Sequence, residues 1–326
     1  SNIVIANTVK NSTVKDPYTL DHYFDPNIKI IEKIDAHPRK FSDFAECENA
    51  CATSDAYKLK DLIYEAEVLA RGQMKIVNTG TIDKYISRWG LVKMTYLGDK
   101  YLHPVLDKKR FETEFGNSYY KKSLKPKIII KGLTLLDGCA DFEANVVPGK
   151  STLVVTSENI VNLKFLLAFI NSKLPIFYIK SKYSSASYNG GINFTKDMIN
   201  GIAFPDLSRT IIKRLSQASD NLIEKSSQLQ EQSVRFQSLV SSSYQIETWP
   251  KALTYWWLLD FATFYKGSKL KLSLEQKDEL MKFWEKYRNE CSKLYSEKES
   301  IESEVNSILY EAYGLTKEEV ETIESQ

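Results

Sequence analysis

The hydrophobic pattern of this 326-residue chain changes period once. Up to about residue 205 apolar positions fall in short runs; beyond it they recur at helical spacing. In the first part Ile128-Ile129-Ile130, set between Lys127 and Lys131, predicts a buried strand. Residues 139–147, alternating in part, and 151–156 predict two more, with chain reversals at Asp137-Gly138 and Pro148-Gly149. Ser157 is the expected cap of a helix whose Leu163, Leu166, Leu167 and Ile170 form one apolar face. Upstream, Asp16-Pro17, Asp25-Pro26 and His37-Pro38 predict irregular chain over 1–38. Residues 42–51 read as strand or helix, and 55–70 as a helix with Leu59, Leu62, Ile63 and Leu69 roughly on one side. A strand from Lys75 is expected to turn at Asn78-Thr79-Gly80. It leaves through an aromatic, basic segment ending Arg88-Trp89-Gly90.

Beyond Pro205 the period is helical. Leu215, Leu222, Leu229 and Phe236 recur every seven residues, with Ile212, Ser219, Ser226 and Ser233 at the partner positions. That seam is narrow, so the helix needs a partner; Ser241-Ser242-Ser243 is its expected end. An aromatic knot follows: Trp249, Tyr255, Trp256, Trp257, Phe261. Ser273 with Gln276 reads as a capping box opening a second long helix. Its apolar line runs Leu280, Trp284, Tyr287, Cys291, Leu294, Lys298, Ile301, Val305, Ile308, Ala312. Gly314 stops it, and Thr316 with Glu319 starts a last short helix. The two seams can pair within one chain or between chains.

Composition is that of an ordinary globular protein, 43% hydrophobic and 26% charged, with no apolar run long enough to span a bilayer. The chain begins Ser-Asn without a Met, so a piece of a longer polypeptide is expected. Cys47, Cys51, Cys139 and Cys291 are scattered, which suits a reducing cytoplasm, and with three histidines they form no zinc spacing. Net charge is only +2, but it is uneven. Residues 297–326 hold nine acids against Lys298 and Lys317, a balance of −7, which leaves +9 on the first 296. Lys121 to Lys131 contains five lysines and no acid, and Lys164 to Arg214 has eight basic residues against Asp197 and Asp206. A polar, positive part joined to an acidic helical tail fits a reader of DNA with a protein-docking end.

Three pieces in order, Lys125-Pro-Lys-Ile-Ile129, Phe169-Ile-Asn-Ser-Lys-Leu174 and Ile202-Ala-Phe-Pro205, resemble the C-terminal specificity region of TaqI-class adenine-specific DNA methyltransferases and type IIG restriction–modification enzymes. The ending, 301–320, with an acidic helix and then Tyr313-Gly-Leu-Thr316, resembles the close of many type IIG polypeptides. The resemblance implies a region that chooses the DNA sequence and leaves chemistry to other modules. It also implies an α+β architecture: a mixed α/β target recognition domain over 1–207, then a helical spacer and docking domain over 208–326 with two long antiparallel, coiled-coil-like helices.

Base edges are read by amide, hydroxyl and guanidinium groups, while lysines and backbone amides on phosphates set register. On that chemistry the polar loop 182–191 is the first candidate, through Ser184, Ser185, Ser187, Tyr188 and Asn189 on a backbone loosened by Gly190 and Gly191. Asn78, Thr79, Arg88 and Trp89 form a second. Lys127, Lys131, Lys180, Lys182 and Lys196 are phosphate candidates.

Catalytic motifs are absent from the sequence. There is no Asn-Pro-Pro-aromatic motif to hold a flipped base and no glycine-rich methyl-donor loop. Pro205-Asp206 lacks a nearby acid-x-Lys partner, since Glu275-Gln-Lys277 falls on a remote helix. Gly190-Gly191 is not followed by Lys-Ser/Thr. The expected partners are double-stranded DNA and methyltransferase or nuclease modules, in the same polypeptide or a separate subunit, and no membrane. No cofactor is expected in this chain; S-adenosylmethionine and magnesium belong to the missing catalytic modules. The alternatives are a protein-interaction scaffold with a structural α/β half and partner-binding helices, and a trimmed enzyme with an unrecognised site.

Overall fold

A computed structural model describes residues 26–116, 118–183, 187–188 and 191–325, with Ser187 and Tyr188 described by backbone alone. The chain enters through α1 (Ile28–Asp35), held by buried Ile28, Ile30, Ile31 and Ile34, where irregular structure was expected. Isoleucines three and four apart override the proline signals at either end. Then come β1 (Arg39–Lys40), β2 (Glu46–Asn49) and α2 (Thr53–Lys60). α2 is far shorter than the helix predicted over 55–70. Leu62 and Ile63 reach the core from a tight turn, their amides bonded to the Leu59 and Lys60 carbonyls at 3.0 and 3.2 Å. The chain then runs into β3 (Tyr64–Glu65), leaving Val68 exposed.

β4 (Gln73–Val77) follows, with β5 (Met94–Tyr96), β6 (Asp99–Tyr101), β7 (Pro104–Asp107), α3 (Lys108–Phe115) and α4 (Ser118–Ser123). The organising strand is β8 (Lys127–Lys131), whose three isoleucines are fully buried. β9 (Leu133–Thr134), β10 (Gly138–Asp141), β11 (Val146–Pro148) and β12 (Thr152–Thr156) come next. The single strand expected over 139–147 is therefore two, broken at Asp141–Asn145, where the Asp141 carboxylate accepts from the Asn145 and Val146 amides.

The main sheet has the order β10-β8-β12-β2, antiparallel throughout, with the isoleucine strand inside. A second sheet, β11-β4-β7-β3, has one parallel pair, β11 on β4. Its core gathers Met74, Ile76, Tyr96, Leu106, Phe111, Phe115 and Tyr119. Two apolar helices follow, α5 (Ile160–Ile170), which packs beside the main sheet, and α6 (Lys173–Lys182), which packs on α5 and α1. The α5 cap is Asn159, whose side chain accepts from the Val161 amide at 2.9 Å; Ser157 bonds the Phe44 carbonyl instead. Among the described residues no single helix is long and apolar enough to cross a membrane; α5 and α6 together have that composition but are bent by 67°.

β13 (Ser187–Tyr188), β14 (Gly191–Asn193), α7 (Lys196–Asn200) and β15 (Ala203–Phe204) complete the α/β region. α8 (Arg209–Tyr244) runs one residue past the serine triplet, to a left-handed Gln245. After α9 (Phe261–Ser268), α10 (Leu274–Ala312) opens on the expected Ser273/Gln276 box and ends before Gly314 at φ +65°. α11 (Lys317–Glu324) starts on the Thr316/Glu319 box.

The chain divides into two compact units. The first holds the described residues up to Asp220 together with those from Glu304 on, and the second is 221–303. The change of period at 208 marks the start of α8, but the C-terminal residues fold back onto the α/β region. Tyr313 donates to the Ala203 carbonyl at 2.7 Å, and Lys33 pairs with Glu319 at 2.6 Å. In the second unit Phe236 stacks on Trp256 with centroids 3.8 Å apart, and Leu280, Trp284, Tyr287 and Cys291 surround them. Each such side chain contributes about 1.5–3 kcal/mol by leaving water. The helices pair antiparallel within one chain: Lys225 meets Glu297 at 2.6 Å in this unit, and Arg214 meets Glu304 at 2.9 Å in the other.

Candidate nucleic-acid interface

Asn78 follows the last residue of β4, and its position is enforced locally. Its carboxamide oxygen accepts from the Gly80 amide at 3.0 Å, and its nitrogen donates to the Thr95 carbonyl at 2.8 Å. Thr79 donates its hydroxyl to the Ser151 carbonyl. These bonds tie the 78–80 turn to β5 and to the turn before β12. Between them lies a shallow hollow of about 190 Å³, lined also by Leu97, Leu133 and Lys150.

Leu133 belongs to β9, and β9 pairs with β14 through Thr134–Ile192 and Leu133–Asn193. β14 in turn pairs with β13. β13 and β14 therefore share a ribbon with β9, whose Leu133 lines the hollow that Asn78 and Thr79 also line. Approach is close: a Cβ on Gly191 would sit 2.4 Å from the Thr134 Cα, and one on Gly132 2.6 Å from the Ser151 oxygen. Only glycine permits either contact.

The backbone here is strained. Leu97, Thr134 and Ser151 have φ of +45°, +74° and +63°. Left-handed conformation is disfavoured for such residues, most of all for β-branched Thr134, and strain of this kind concentrates at functional sites.

The expected site residues divide clearly. Lys127 is corrected outright: it is 0% exposed and ion-paired to buried Asp141. Its ammonium also donates to the Ser123 carbonyl at 2.6 Å. Burial lowers its pKa, with Asp141 opposing that shift, and no phosphate can reach it. Lys131 pairs with Asp137 at 2.5 Å, and Lys182 with Asp35 at 2.7 Å while lying 5.0 Å over the Tyr178 ring. Both are largely neutralised. Asn78 and Thr79 line the hollow, but their side-chain groups are engaged by the protein's own backbone. Arg88 is half-buried beside the returning chain, its amide on the Thr81 carbonyl. Trp89 packs against the core and donates to the Pro104 carbonyl at 2.8 Å. Lys180 and Lys196 are exposed. Gly191 serves the β14–β9 contact. Ser184, Ser185, Asn189 and Gly190 lie outside the described residues, as do the side chains of Ser187 and Tyr188.

Sequence reasoning missed Lys150, Ser151 and Thr95. The Pro148-Gly149 turn signal pointed toward the first two; nothing local marks Thr95.

Among the described residues no group of three or more His, Cys, Asp or Glu is placed to hold a metal ion. Burial pushes the thiols up, Cys51 to about 11 and Cys139 and Cys291 to about 12, with Cys47 also raised. All four stay protonated at neutral pH, so none is a ready nucleophile.

Residues 208–309, from the start of α8 to near the end of α10, match a family described as a domain of unknown function, DUF8810. No curated protein matches the chain.

Proposed function

We propose that the chain is a specificity fragment that reads duplex DNA for a restriction–modification enzyme of the type IIG or related adenine-methyltransferase kind. The observation that carries this reading is a strained, preformed hollow lined by Asn78 and Thr79 together with Leu133 of β9, the strand on which β14 and then β13 are paired. Rigid polar groups at fixed spacing are what base readout requires. The order of the 125–129, 169–174 and 202–205 motifs supports it as well.

Bases are read by the hairpin residues, and phosphates are met by Lys150 and Lys196. Lys131 and Lys182 contribute less than unpaired lysines would, because Asp137 and Asp35 already balance them. Catalysis, with S-adenosylmethionine and magnesium, belongs to other modules, against which the paired helices dock. The working compartment is the cytoplasm, in agreement with four free thiols.

A second reading, a scaffold, draws on Tyr255, Leu258 and Leu274 of the helical unit, at 60%, 50% and 85% exposure. Duplex titration separates the two. Recognition requires binding that falls steeply with salt, plus preference for one site by orders of magnitude. Asn189→Ala or Tyr188→Ala is expected to cost about 1–3 kcal/mol on the preferred site and little on random duplex. A protein that shows no salt-sensitive duplex binding would instead be the scaffold.

A further inference from the structure

We infer that a second surface of the first unit, the groove between the starts of α5 and α8, seats nucleic-acid backbone irrespective of sequence. The groove encloses about 680 Å³ and shares no lining residue with the hollow at Asn78–Ser151. Its cations are Lys164 on α5 and Arg209 and Lys213 on α8. Arg209 and Lys213 are exposed and stand four residues apart, hence on one face of the helix, about one turn from each other.

Asp220 is the one acid among the lining residues, and it lies 2.8 Å from the Lys164 ammonium. The lining therefore keeps a surplus of two positive charges. Neither helix has an acid in its first turn. Glu158, next to Asn159 in sequence, is drawn to Lys125 at 3.1 Å, and Glu304 is held at 2.9 Å by Arg214, the neighbour of Lys213. Asp206 is exposed, three residues before Arg209.

The walls are already fixed. The Ser216 hydroxyl lies 2.8 Å from the Ile212 carbonyl and 3.2 Å from the Val161 carbonyl, which links the two helices. Asn162 donates to the Phe44 carbonyl at 2.8 Å. Between the cations Val161, 40% exposed, and Ile212 supply an apolar floor. Cations flanking an apolar strip match a chain whose phosphates alternate with sugars. They offer none of the fixed donor–acceptor pairs that distinguish bases, so the contact gives affinity and register without specificity.

The occupant rests on the duplex-binding reading; the geometry of the groove does not. The test is fluorescence anisotropy of a labelled random-sequence duplex with the full chain, across a salt series, for the natural protein and for Arg209→Ala/Lys213→Ala. Both residues are exposed, and a melting curve checks the fold; Lys213→Glu alone serves if the double variant melts early. The double variant is expected to lower the log–log salt slope by about 1.8, since each phosphate no longer neutralised removes about 0.9. Random and preferred duplexes should weaken by the same factor. An unchanged slope overturns the groove while leaving the recognition face standing. If the natural chain binds no duplex at all, both fall. If polyglutamate binds the natural chain but not the variant, while duplex binds both alike, the groove takes acidic polypeptide and the inference is wrong.

Discussion

Lys127 flanks an isoleucine run in a lysine-rich stretch, and by sequence alone it is a surface cation. In the fold it is the least exposed lysine of the group, bonded to the Asp141 carboxylate, which also accepts from the Asn145 and Val146 amides at 3.0 and 3.1 Å. Removing one partner of such a pair strands the other charge in the core. Lys127→Ala is therefore expected to lower stability by about 3–5 kcal/mol in urea titration, with unchanged duplex affinity for the protein that remains folded. A stable variant with weakened binding would restore Lys127 as a phosphate contact. Gly191 is the complementary case. Its identity is plain in the sequence, but the reason for it, the backbone of β9 at touching distance, is not.

Among the elements, the long helices were the most legible. Their seam positions Leu215, Leu222, Leu229 and Phe236 are all buried, as are Leu280, Trp284, Tyr287 and Cys291, which share one core with Leu229 and Phe236. Caps were legible where side chain and amide sit within three residues, as at Ser273 and Thr316. Asp260, the cap of α9, accepts from the Thr263 amide at 2.8 Å and its hydroxyl at 2.9 Å. These bonds hold its carboxyl below the usual carboxylate range. A carboxyl with a lowered folded pKa stabilises fully above its unfolded value, about 3.9, and loses that contribution as pH falls through the lowered one. The gap in melting temperature between the natural protein and Asp260→Ala should accordingly be widest near neutrality and narrow in acid. Tryptophan fluorescence reads this, since four of the five tryptophans lie in 221–303. A gap independent of pH would mean the charge plays no part. The short strands were less legible: two- and three-residue pairings such as β9 with β14 leave too brief a pattern to detect.

At the scale of the molecule, the C-terminal residues return to the α/β region. Tyr313 is buried against Phe204, and Lys173 pairs with Glu324. A chain ending at Ser303 should destabilise the first unit by at least the ~3–5 kcal/mol of one emptied aromatic site. Hydrogen exchange at α1 and β15 is the readout, and unchanged protection there would show the return to be dispensable.

What the amino-acid order determined alone were features that neighbours along the chain settle: the isoleucine strand, the heptad seams, the capping boxes and the change of period near 208. What the tertiary structure decided were matters of distance between remote residues. These are which lysines are buried or paired, that the two helices close on each other within one chain, that Asn78 and Leu133 line one hollow, and that Gly191 lies against Thr134. Periodicity reports which face of an element is apolar; it carries no information on what that face will touch, because contact depends on how loops far apart in sequence bring elements together.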